Sequence, residues 1–269
     1  MKKIIGIIGC GTIGTAIIGH VDKELRDKVS EILVCDKEDR ASRRLAGSIE
    51  GCAAVNSIED IISGADLIVE AASPAVAGDI FKKVLEAGKD VIFMSIGGLL
   101  DKEDLFVEAE RRGIRVMLPS GAISGIDALK ASKIAGITSV ELITRKPPKA
   151  LAGAPYVTEN GIDLDKLQGE TVIFEGTARE AMKGFPKNIN VAALLSLAGI
   201  GADRTKVKII ADPSYCKNVH EVIVESKAGR LVMRTENVPS PDNPKTSYLA
   251  SLAAMATIDA YFGTVRIGT

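Results

Sequence analysis

The chain has no tryptophan, and aromatic residues make up only 4% of its 269 positions. A surface that stacks nucleic-acid bases needs aromatic side chains, so that class of partner finds no platform here. Histidine is almost as scarce, at two residues, and the four cysteines, Cys10, Cys35, Cys52 and Cys216, show no C-x-x-C spacing. Together they make a poor metal set, so no metal site is expected, and a reduced, cytoplasmic protein is. An excess of charge is also missing, with 34 Lys and Arg against 35 Asp and Glu. Basic residues spread along the chain leave no electrostatic footprint for nucleic acid or a membrane surface. No segment reaches the ~18 uninterrupted apolar residues of a membrane span. The N-terminal "MKKIIGIIGCGTIG" starts basic and apolar like a signal peptide, but glycines break the run too early.

What is there is a globular composition, 46% hydrophobic and 26% charged, in a length that allows one large core or two modest ones. The first 120 or so residues alternate strand and helix patterns: "KKIIGIIG", "EILVCD", "DLIVEAAS", "DVIFMSI" and "GIRVMLPSG" as strands, with "KEDRASRRLAG" and "PAVAGDIFKKVLEAG" as helices. Strands apolar on both faces, separated by helix-length crossovers, indicate a doubly wound parallel sheet of the Rossmann kind. Later strands are longer and alternating: "SVELITRKP", "KVKIIADP", "VHEVIVES" and "RLVMRTEN", the last two joined by "KAG" as a hairpin. They predict a second α/β domain on a mixed or antiparallel sheet. The Ala-rich "SYLASLAAMATIDAYFG" predicts a helix that packs back onto the first domain. The expected division is therefore 1–119 plus 241–269 for dinucleotide binding, and 120–240 for substrate binding and dimerisation. Dimerisation is expected because the apolar sides of "VELI", "VIV" and "LVM" exceed what one or two helices can cover.

The strongest motif is "GIIGCGTIGTAI", which sets Gly9, Gly11 and Gly14 in G-x-G-x-x-G spacing after a strand and before a helix. The first glycine makes the turn, the second lets a pyrophosphate approach the backbone, and the third lets helix and strand pack closely. The helix N-terminus supplies N–H groups and positive dipole to the phosphates. Asp36 ends the second strand about 20 residues on, where a carboxylate accepts from a ribose hydroxyl. The expected cofactor-binding set in this region is Gly9, Gly11, Thr12, Ile13, Gly14 and Asp36. Asp36 favours NAD, whereas Lys37 and Arg40 attract the 2′-phosphate of NADP, so both cofactors stay open.

Two other stretches are unusual. "LPSGAISGIDALKA" ends the strand "GIRVMLPSG" in a turn of small residues where backbone can approach a nicotinamide ring. "FPKNINVAALLSLAGIG" gathers Pro186, Lys187, Asn188 and Asn190 at a helix entrance suited to a carboxylate or carboxamide. With "TRKPPKAL" and "NVHEV", in this order along the chain, they resemble the L-aspartate dehydrogenase family over nearly the whole length. The resemblance implies a Rossmann domain plus a second α/β domain and a homodimer. It implies NAD or NADP as cofactor, with contacts from Ala122 and Asn188, and His220 as the catalytic residue. It also implies oxidation of L-aspartate to iminoaspartate, which feeds pyridine nucleotide biosynthesis by transfer to quinolinate synthase or hydrolyses to oxaloacetate and ammonia.

From the residues alone, His220 keeps two readings. Strand alternation places it with Val222 and Val224, opposite Glu221, Ile223 and Glu225, which suits a core histidine. Its place at the start of the strand, after the turn-prone "DPSYCKN", suits a cleft, where a group titrating near 7 takes the amine proton. Lys187, Arg145, Lys146 and Lys149 are the cations available to the two substrate carboxylates. Cys216, four residues before His220, leaves open a thiol nucleophile of the aldehyde dehydrogenase kind. A non-catalytic dinucleotide sensor is the remaining alternative. His20, in the first helix, is expected to be structural or exposed.

Overall fold

Four consecutive buried residues close the first strand, β1 (Lys3–Ile8), which is therefore covered on both faces. The computed structural model describes every residue except Lys187, Asn188, Asp242 and Thr269, and every side chain but those and Ile189, Pro244 and Lys245. After β1 come α1 (Thr12–Glu24), β2 (Val29–Cys35), α2 (Asp39–Ala46), β3 (Cys52–Ala54), α3 (Ile58–Gly64), β4 (Leu67–Glu70), α4 (Pro74–Ala87), β5 (Asp90–Phe93), α5 (Glu103–Arg112) and β6 (Val116–Met117). All pair in parallel, in the order β3-β2-β1-β4-β5-β6. This order reverses at β1, and the crevice at such a reversal is where dinucleotides bind in doubly wound sheets.

The second half contains α6 (Ile126–Ala135), β7 (Ile137–Lys146), α7 (Pro155–Glu159), β8 (Thr171–Thr177), α8 (Ala178–Gly184), α9 (Ile189–Ala198), β9 (Thr205–Ala211), β10 (Asn218–Ser226), β11 (Gly229–Asn237), β12 (Pro239–Ser240), β13 (Asn243–Ser247) and α10 (Tyr248–Phe262). Its main sheet runs β11-β10-β7-β9-β8 and is mixed: β7 and β9 are parallel, the other neighbours antiparallel. The β10–β11 hairpin turns through Lys227 and Ala228, with Ser226 opposite Gly229. Gly229 has φ 128°, open to glycine and strained for other residues.

The chain divides into two compact units, Met1–Pro119 with Ala250–Arg266, and Ser120–Leu249 with the tail from Ile267. The segment 241–249, expected with the first domain, clusters with the second, because β13 pairs with β12. The return of α10 to the first unit follows the expected packing. Its Ala254, Ile258 and Tyr261 join a core with Ile5, Ile7, Val21 and Leu67. The Tyr261 hydroxyl donates to Asp90 at 3.0 Å and accepts from the Lys3 ammonium at 2.9 Å, while the Arg115 guanidinium lies 4.4 Å above the ring.

Within the second unit, Val140, Leu142, Val222 and Val224 are buried in the chain itself. The ground given for dimerisation is thus altered: those apolar residues are already covered, and the opposite face carries Glu141, half-buried Ile143 and Ile223, and exposed Val172 and Val232.

Candidate functional site

In the first unit the chain leaves β1 and turns at Gly9, where φ is 103°. A Cβ on Gly9 would lie 2.5 Å from the Ala71 carbonyl oxygen, and one on Gly14 2.0 Å from the Gly9 carbonyl oxygen. Both glycines are demanded by the protein's own backbone. Gly11 differs, since a Cβ there would meet nothing within 4 Å. Its missing side chain leaves open space beside the start of α1, whose N-cap is Gly11 itself with no side-chain cap bond. Thr12 and Ile13 form the first turn of that helix. An uncapped helix start behind open glycine backbone fits a pyrophosphate.

Asp36 stands just beyond β2 and braces this loop. Its carboxylate accepts from the Cys10 N–H at 2.6 Å and from the Glu38 N–H at 2.9 Å, one bond to each oxygen. Each oxygen keeps a second lone pair for a ribose hydroxyl. Lys37 and Arg40 are exposed beside it. Burial, with the Asp36 charge next to it, pushes the Cys10 thiol up to about 12, so this cysteine is a small neutral group and not a nucleophile. Sequence reasoning missed Glu70, which ends β4 fully buried. It accepts from the N–H groups of Ala72, Ser73 and Ser95 and from the Ser95 hydroxyl, at 2.8 to 3.1 Å. Burial pushes its carboxyl upward against those four donors. The signal was a charge closing the otherwise apolar "DLIVE".

In the second unit His220 is buried, 6% exposed, and lies on β10 directly opposite Thr144 of β7. Its Nδ1 is 3.0 Å from the Thr144 hydroxyl. Lys146 is two residues further along β7, on the same face, and only 7% exposed. Thr144 and Lys146 line a pocket between this face and helices α8 and α9, closed by Leu142, Ala181, Phe185 and Ile209. Burial first, and the Lys146 charge second, push His220 down to about 3. Its ring is therefore uncharged at neutrality, which replaces the value near 7 expected of an exposed cleft histidine. Burial pushes Lys146 down to about 8. The imidazole carries no charge where Lys146 titrates, so it adds nothing to that shift.

Alternation along β7 sorts the other cations. Arg145 points to the opposite face, its guanidinium 3.6 Å from Glu170, and Lys149 is exposed in the turn after β7. Neither joins the Thr144–Lys146–His220 group. Lys187 and Asn188 lie outside the described residues. Cys216 is exposed in the loop before β10, whereas the imidazole is buried with its Nδ1 on Thr144, and no thiol–imidazole pair is among the described contacts. His20 bridges helices instead, its Nε2 2.8 Å from Asp259 of α10.

The turn "SGAISG" is pinned to β11. The Ala122 carbonyl accepts from the buried Asn237 amide at 2.9 Å, Asn237 accepts from the Ser247 hydroxyl at 2.6 Å, and Ser124 lies 3.1 Å from Thr235. Thr235 is in turn opposite His220 across β10 and β11. Register thus links Ala122 and His220 through two residues of one strand, which spacing in the sequence does not reveal.

A parallel sheet in 3-2-1-4-5-6 order, a glycine loop with this steric pattern and a carboxylate just beyond β2 define a dinucleotide-binding domain of the kind that takes NAD or NADP. Residues 9–119 match the family model described as "Homoserine dehydrogenase, NAD binding domain", and residues 127–261 the one described as "Aspartate dehydrogenase, C-terminal". The chain belongs to the L-aspartate dehydrogenase family. It is 49% identical to an L-aspartate dehydrogenase of Methanosarcina acetivorans, over 98% of this chain and 99% of the relative. It is 40% identical to one of Bradyrhizobium diazoefficiens, over 98% and 94% respectively. The crystal structure of an aspartate dehydrogenase from Thermotoga maritima covers all of both chains, with a TM-score of 0.78 at 29% identity.

Proposed function

We infer that this protein oxidises L-aspartate to iminoaspartate. The observation that carries the reading is the buried Thr144–Lys146–His220 group in a chain that also bears the dinucleotide loop, on a sequence matching L-aspartate dehydrogenases end to end. NAD or NADP, when bound, takes the hydride from Cα of the amino acid. Gly9, Gly11, Thr12, Ile13 and Gly14 hold its pyrophosphate and Asp36 its adenosine ribose, while Ala122 and Asn188 contact it further along. His220 is the catalytic residue. Its neutral ring, oriented by Thr144, offers the reacting amino nitrogen a hydrogen bond without adding a charge that would oppose the forming cationic imine.

The imine then hydrolyses to oxaloacetate and ammonia, or passes to quinolinate synthase. Half-buried Ile143 and Ile223 and exposed Val172 and Val232 on one sheet face support a homodimer, and four free cysteines support a reducing cytoplasm. Light scattering at micromolar concentration tests the dimer, which a stable monomer would refute. The activity is tested by NADH formation across a panel of L-amino acids, with ammonia-dependent reduction of oxaloacetate in reverse. Aspartate should far exceed glutamate, alanine and D-aspartate. Equal rates with alanine would reject a site that fixes two carboxylates.

A further inference from the structure

The motif "TRKPPKAL" ends β7 with a lysine whose burial the reaction as described leaves unused. We propose that Lys146 is the group that takes the substrate's ammonium proton, at a site it shares with Thr144 and His220 on one face of the second sheet. The geometry is set by strand register. Thr144 and Lys146 point to the same side of β7, both line the pocket under α8 and α9, and Thr144 hydrogen-bonds the ring opposite it on β10. The Lys146 backbone is fixed as well, its carbonyl accepting from the Asp212 N–H at 3.0 Å, so the side chain leaves a rigid strand end.

The chemistry needs a basic lone pair. An amino acid arrives as an ammonium ion, whose nitrogen has no electron pair to form a C=N bond. One ammonium N–H bond must break first, its proton joining the Lys146 nitrogen. The freed pair then forms the C=N bond as the Cα–H bond breaks and hydrogen leaves with both electrons to the oxidised dinucleotide. An imidazole held at about 3 is too weak an acceptor for an ammonium proton. An amine at about 8 is matched to the task and is neutral in roughly a tenth of molecules at pH 7, against fewer than about one in a thousand for an unperturbed lysine. The described titratable groups on the elements around Lys146 are few. They are His220 on β10 and Asp212 after β9, whose carboxylate accepts from the Ser214 N–H and hydroxyl at 2.8 Å. Helices α8 and α9 present Ala181, Met182 and Ala192 to the pocket, and Phe185, just after α8, adds its ring.

This assignment rests on the aspartate reading, and two arms keep their failures apart. If the wild-type protein forms no NADH from aspartate, both fail. If it turns over, Lys146→Arg decides, because arginine keeps the charge but cannot lose its proton. The expected result is a fall in kcat of about 10²-fold or more with KM for aspartate changed less than about threefold, and partial rescue of Lys146→Ala by added primary amines in order of their basicity. A Lys146→Arg enzyme with kcat intact, whatever its KM, would make the lysine a carboxylate anchor and overturn the proposal. Should the variants fail to fold, the wild-type profile still decides. kcat/KM should climb with pH to a break near 8, below the range where the amino group of free aspartate titrates. A break at or below 6.5, as for an imidazole, would overturn it.

Discussion

In the first unit the groups that face a ligand belong to the backbone: the open edge of Gly11, the first turn of α1, and a loop held in place by Asp36. In the second they are side chains, Thr144, Lys146 and His220, sorted onto one sheet face by the pairing of β7 with β10. Backbone sites depend on what a residue lacks, and a single added methyl group tests them. Side-chain sites depend on burial, so their response to pH tests them.

The sharpest way to break the first site is Gly14→Ala, which drives a Cβ to 2.0 Å from the Gly9 carbonyl oxygen. Neither partner is a movable side chain, so a loss of about 3 kcal/mol or more in stability is expected, with NADH binding gone, by chemical denaturation and fluorescence titration. Gly11→Ala sharpens the contrast. It should leave stability within about 0.5 kcal/mol and still weaken NADH binding at least tenfold, because its space is open to the ligand alone.

In the second unit, Lys146→Met should raise stability at neutral pH. The lysine stands at about 8 in the folded protein against 10.5 in the open chain, so the unfolded state binds more protons between those values and stability climbs with pH across that window. Below pH 8 the full cost applies, about 3 kcal/mol, and the advantage of the methionine variant should fade toward pH 10.5. Denaturation series at pH 7 and pH 10.5 that show the same difference would mean that Lys146 is not buried as a charge. His220→Ala should lower kcat by about 10²-fold while NADH affinity holds, read by steady-state kinetics beside fluorescence titration.

The smallest expected effect joins the two kinds of site. Asp36→Ala removes an acceptor for two backbone N–H groups as well as for the ribose, so it should loosen the loop for both cofactors and shift kcat/KM toward NADP by roughly tenfold. Arg40→Ala should move the ratio back by less, and less again in high salt. An unchanged ratio in Asp36→Ala would mean that the carboxylate serves the loop only.

The same division explains what could be read from the amino-acid order. Gly9, Gly11, Gly14 and Asp36 are legible because a phosphate-binding turn demands fixed offsets, and the chain makes that turn locally. The β10–β11 hairpin and α10 are legible by periodicity. β3 escapes because three residues hold no period, and β8 because a bulge between Val172 and Phe174 breaks its alternation. Whether Arg145 or Lys146 meets His220 turns on a shift of one residue in pairing to a strand some 75 positions away, which no local pattern encodes. The low proton affinity of His220 is likewise a property of its surroundings. The amino-acid order leaves His220 between a core position and a cleft; buried beside Lys146, its ring is neutral.

Tyr261 ties the last helix to the first strand through Lys3 and to β5 through Asp90, and Ala254 and Ile258 complete a core begun at Ile5. During synthesis on the ribosome that core has to wait. Almost the entire second unit is made while the apolar stripe meant for α10 stays bare, so the portion translated first is finished last. A stop codon before Ala250 would release a chain with that stripe uncovered, a sticky surface for chaperones or for other nascent copies.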